Sequence, residues 1–149
     1  MDNKQIQADI QKQFRQHQEK LVYYLLALSV SAIGFSVYQT TGKPLSIVQI
    51  PLGLAVLSWS LSIFCGLKFM KYVISSLYAN NEYFQIINGK NEDIGKNPER
   101  IKIGIQAYKE AMKINSNRMR KLFKWLNVLF YSGIIFFVIW HVLEMSVIS

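Results

Sequence analysis

The sequence is short of the groups that usually do chemistry. A single cysteine, Cys65, excludes an intrachain disulfide, and inside an apolar run it reads as a small packing residue. Only two histidines occur, His17 and His141, and no cysteine–histidine pair has the spacing of a metal site. None of the nine acidic residues falls in the middle of a long apolar run, which argues against an ion-coupled transporter. The stretch GKNEDIG has neither the glycine spacing nor the preceding strand of a phosphate-binding loop. His141 and Glu144 share a helical face, but in the reverse order of the Glu-x-x-His pairs of bundle metal sites, and without a second pair. No metal, cofactor or catalytic residue is expected, and the chain reads as a non-enzymatic protein.

What it has instead is segregation. Hydrophobic residues make up 51% of the chain and gather in runs at 21–38, 47–66 and 126–140. The first two carry no charged side chain; the third has Asn127 near its start and meets His141 and Glu144 only at its far end. A span needs about 20 mostly apolar residues to cross hydrocarbon roughly 30 Å thick, and the runs lack the polar face of a surface helix. The pattern predicts an all-α membrane protein with three transmembrane helices. The first run follows a long lead containing Asp2, Asp9 and Glu19, so it reads as an uncleaved span rather than a signal peptide.

Lysine and arginine give the orientation. Of 17, four precede the first run, Lys43 alone lies between the first and second, twelve lie between the second and third, and none follows Trp140. Basic segments stay on the cytoplasmic side. The amino terminus and residues 67–121 are therefore expected inside, with residues 39–46 and the carboxyl terminus outside. A bacterial inner membrane is the default location.

The expected organisation is a cytoplasmic amphipathic helix over 1–20, a transmembrane hairpin over 21–66, a cytoplasmic helical hairpin over 67–121 with a loop at 88–97, and a third span with a short tail over 122–149. Ile6, Ile10, Phe14 and Leu21 share one face of the first helix, which runs into the first span without a breaker. Asn88-Gly89 reads as a helix stop, and Asn97, Pro98 and Glu99 as cap, first position and first turn of the next helix. Ile101, Ile105, Tyr108, Met112, Asn115 and Met119 then form a heptad seam, continued by Leu122 and Leu126, on which self-association is expected. Asn115 either fixes the register of that seam or marks a break before the third span. The three inner extensions are expected to pack as a small bundle or coiled coil, within a homo-oligomer.

The stretch NSNRMRKLFKWLNVLF sets four cations, Arg118, Arg120, Lys121 and Lys124, against aromatic and apolar residues. With Trp125 at the start of the apolar run, this reads as the mouth of a span meeting anionic headgroups or another anionic ligand. Tyr131 and Trp140 are further candidates for interfacial anchors. No nucleic-acid motif is present, and no nucleic acid is expected as partner. Within the first two spans Ser29, Ser31, Ser36, Ser58 and Ser62, with Trp59, are candidates for helix packing or for lining a pore. The functional expectation is a self-assembling small channel or membrane-perturbing effector gated from its basic side. The alternative is an adaptor or anchor subunit whose cytoplasmic helices recruit a larger partner.

Overall fold

In a computed structural model the chain is described over residues 3–43, 46–91 and 97–148, apart from the side chains at 3, 4, 7, 8, 11, 147 and 148. The stretch 92–96 of the expected loop lies outside the described residues, as does residue 149. Three α-helices account for nearly all of it, and no strand occurs among the described residues: α1 (Asn3–Thr40), α2 (Ile50–Ile87) and α3 (Pro98–Ile148), with a 3-10 turn at Ile47–Gln49 before α2. All three are long and apolar enough to cross a membrane. At 1.5 Å per residue, the 38, 38 and 51 residues correspond to about 57, 57 and 77 Å, so each helix outruns a bilayer core. Only 22–28% of their most apolar windows is buried, a distribution that fits an integral membrane protein whose outer apolar surface faces lipid.

The helix ends follow from local chemistry. α2 closes in a Schellman motif: Gly89 takes φ +65°, Lys90 N–H donates to the Gln85 carbonyl at 2.9 Å and Gly89 N–H to that of Ile86 at 3.1 Å. α3 opens on Asn97, whose Oδ1 accepts from Glu99 N–H at 2.9 Å and Arg100 N–H at 3.4 Å. Pro51 sits in the first turn of α2, where a missing N–H costs nothing.

The chain divides into two compact units. Unit 1 comprises Met1–Gly66 with Lys124–Ser149, and unit 2 comprises Leu67–Phe123. In unit 1 the buried positions are Val22, Leu25, Ser29 and Ser36 on α1; Leu52, Ala55, Trp59, Ser62 and Gly66 on α2; and Leu126, Phe130, Gly133 and Trp140 on α3. Their spacings of three, four and seven are those of helices packed by heptads. Small residues bring the helices together. A Cβ on Gly66 would lie 2.7 Å from Leu26 Cδ2, and one on Gly133 would lie within 2.8 Å of three atoms of the Trp59 indole.

Unit 2 is a hairpin of the α2 and α3 extensions alone; the amino-terminal part of α1 belongs to unit 1. On that part of α1, Ile6, Ile10 and Phe14 are 40%, 61% and 63% exposed. Within the hairpin Phe69 meets Phe123 at 6.0 Å, Arg118 stacks over Tyr72 at 5.4 Å, Asn115 bonds to Ser75, and Lys109 lies over Tyr83 at 5.8 Å. Each step forward on one helix is a step back on the other, as in an antiparallel pair.

α3 runs unbroken through Asn115, which removes the reading of that residue as a helix break. Asn115 is buried, and its Nδ2 donates to Ser75 Oγ at 3.1 Å. Ser75 is exposed, so water can replace its partner. Asn115→Leu is therefore expected to stabilise the hairpin by about 1 kcal/mol, by trading a buried amide for apolar contact. Hydrogen exchange of the surrounding amides checks this: slower exchange is expected, and faster exchange would show the Asn115–Ser75 bond to be a net stabiliser.

Candidate functional site

The span serines divide into two sets. Ser29 and Ser36 are buried and donate to carbonyls of their own helix, Leu25 and Ala32, each at 2.8 Å. Ser62 is buried and reaches across from α2 to the Leu126 carbonyl of α3 at 3.0 Å. These three hydroxyls have partners and serve packing within the protomer. Trp59 is buried against Phe137 at 5.9 Å, and its indole N–H has no partner among the described residues. Ser58 is half-buried, and Ser31 is exposed.

Ser31 does not stand alone. The buried face of α1 is drawn by Val22, Leu25, Ser29 and Ser36. At 100° per residue Ala27, Ser31, Gly34 and Tyr38 lie on the opposite face, and all four are exposed. A Cβ at Gly34 would meet nothing within 4 Å. The small-residue ridges of α1 are thus of two kinds. One, ending at Ser36, turns inward; the other, at Ala27, Ser31 and Gly34, is left uncovered.

The four cations of the basic stretch are all exposed. In unit 2, Arg118 donates to Tyr72 Oη at 3.0 Å while stacking on its ring, and Arg120 donates to Asn117 Oδ1 at 2.9 Å. Lys121 is exposed, as are Lys68 and Lys71 on α2, so the first turns of the hairpin carry five cations and no acidic residue. Lys124, a turn beyond Lys121 on α3, is exposed too, and Trp125 is 58% exposed beside it. Tyr131 is also exposed, whereas Trp140 is 3% exposed and packs on Phe137 at 5.4 Å. Trp140 is a core residue of unit 1 and not an interfacial anchor.

The expected seam residues Ile101, Ile105, Tyr108, Met112 and Met119 are half-buried on the face of α3 that carries buried Asn115. That face is already occupied, at least in part, by α2 of the same chain. Glu144 pairs with Lys43 rather than with His141, the two polar groups meeting at 2.5 Å where α3 and the α1–α2 connection come together. Sequence reasoning missed this pair, although one signal was available: Lys43 is the only cation, and Glu144 the only carboxylate, expected on the outer side. Beside Lys43 an open cleft of about 360 Å³ lies between α1 and α2, lined by Ser36, Val37 and Thr40, then Gln49, Leu52, Gly53 and Val56. Among the described residues no cluster of three histidines, cysteines or carboxylates converges.

No family model matches the sequence, and neither a curated protein nor a solved structure matches it.

Proposed function

We propose that the chain is an integral membrane protein of three spans that assembles with copies of itself and acts as a small channel or membrane-perturbing effector. The observation that carries this reading is the uncovered stripe Ala27, Ser31 and Gly34 on the outer face of α1. Lipid gives two helices no hydrophobic reason to associate, so close approach through small residues is what holds spans together. A row of small and polar residues facing away from the protomer core is suited to a neighbouring copy or to a water-filled path between copies.

In the same reading the amino terminus and unit 2 lie on the cytoplasmic side of a bacterial inner membrane. Arg118, Arg120, Lys121 and Lys124 then meet anionic headgroups or an anionic effector at the base of the spans, each cation being worth about 1 kcal/mol near a charged surface. Gating from that side follows from the charge.

The test is the mass of the lipid-nanodisc particle, followed by ion flux through protein-loaded liposomes with and without anionic lipid. A closed ring of roughly four or more subunits with measurable flux is expected. A monomer or dimer with no flux in any lipid would remove the channel. A second reading, an adaptor, is favoured by the exposure of Ile6, Ile10 and Phe14. It requires that removal of residues 1–19 abolish capture of a cytoplasmic partner while leaving insertion and self-association intact.

A further inference from the structure

The cleft of unit 1 has a gradient of polarity along the helices. Its polar lining, Thr40, Lys43 and Gln49, lies next to the α1–α2 connection; Val37, Leu52 and Val56 lie deeper, beside Ser36, whose hydroxyl is already given to the Ala32 carbonyl. Gly53 keeps the deep part open, since a Cβ there would meet nothing within 4 Å. The volume, about 360 Å³, falls at the small end of ligand sites of about 300–1,000 Å³. An occupant must be polar at one end and apolar at the other, and must enter from the side.

The geometry points to a glycerophospholipid site, with the phosphate at Lys43 and Gln49 and one acyl chain lying along Val37, Leu52, Gly53 and Val56. An ammonium has three donors, of which Glu144 takes one, and Lys43 is 40% exposed, so it keeps donors for phosphate oxygens. The Gln49 amide adds two more. A free phosphate satisfies only the polar end and leaves the apolar groove empty. The lipid satisfies both. This site is distinct from the basic stretch on α3, and it rests on the reading of α1 and α2 as spans.

Native mass spectrometry of the full chain, extracted in detergent and supplied with phosphatidylglycerol, tests it. One lipid per protomer should survive stripping, and inorganic phosphate at the same concentration should neither bind nor displace it. Gly53→Leu fills the groove from an open position and should lower retention about tenfold, as should Lys43→Gln through loss of a charge-assisted contact. Lys43→Arg should restore it. Glu144→Gln separates a lipid contact from a mere latch: it frees Lys43, so retention should hold or rise, whereas a purely structural role for the ion pair makes Glu144→Gln as damaging as Lys43→Gln. Retention unchanged by Gly53→Leu, or equal loss in the two ion-pair variants, overturns the site. Failure of the chain to sediment with membranes would instead overturn the spanning reading.

Discussion

Gly133→Ala should cost unit 1 about 3 kcal/mol, at the upper end of what overpacking a core does. The added Cβ would stand 2.4 Å from Trp59 Nε1, 2.6 Å from Cδ1 and 2.8 Å from Cε2. Those atoms belong to a rigid ring that is 3% exposed and held against Phe137, so it cannot swing aside as the end of a flexible chain can. Either α3 moves away from α2 or the indole leaves its rotamer. Gly66→Ala is the comparison. Its nearest neighbour is the tip of Leu26 at 2.7 Å, a group able to rotate, and its cost should be smaller. The cause can be isolated with Trp59→Leu, which removes the indole ring altogether. In that background Gly133→Ala should lose most of its effect, a coupling that a double-mutant cycle reads directly in reversible unfolding from mixed micelles. An equal cost in both backgrounds would mean that the indole is not what Gly133 accommodates.

The same contact shows where sequence reading reaches its limit. Length and apolarity alone place three helices, and the punctuation at Gly89 and Asn97 places the end of α2 and the start of α3, because a left-handed residue and a side-chain cap are local demands. The inward face of each span is not local. In a water-soluble helix the polar side marks the outside, but Val30 and Val22 are equally apolar, and only the second is buried. Small size does not mark it either: Ser29, Ser36, Ala55, Ser62, Gly66 and Gly133 lie inward, and Ala27, Ser31 and Gly34 match them in size while facing out. Sequence cannot separate those sets without the partner helices. The seam from Ile101 to Met119 is a second instance. Its spacing is plain, but spacing does not say whether a second copy or α2 of the same chain covers it, and the Asn115–Ser75 bond assigns part of it to α2.

Gly34→Leu tests the outward set, and its expected effect on assembly is the largest proposed. Inside the protomer it should be nearly silent: Gly34 is exposed, its added atoms meet nothing within 4 Å, and an exposed substitution of this kind changes stability by less than about 0.5 kcal/mol. Between protomers it should be decisive. Helices that meet over small residues bring their backbones close, and a leucine in the ridge forces them apart without any compensating hydrophobic gain in lipid. The nanodisc particle should fall to a monomer and liposome flux should vanish, with the unfolding transition unmoved. Leu57→Ala, on the outer face of α2, is the control: it removes bulk from an exposed position at a similar distance along the chain from the α1–α2 connection and should leave the particle mass unchanged. Assembly lost in both variants would trace to a general loosening of the spans. Assembly kept by Gly34→Leu would move the search for the interface to unit 2 and to Ile6, Ile10 and Phe14, the surfaces on which an adaptor would depend.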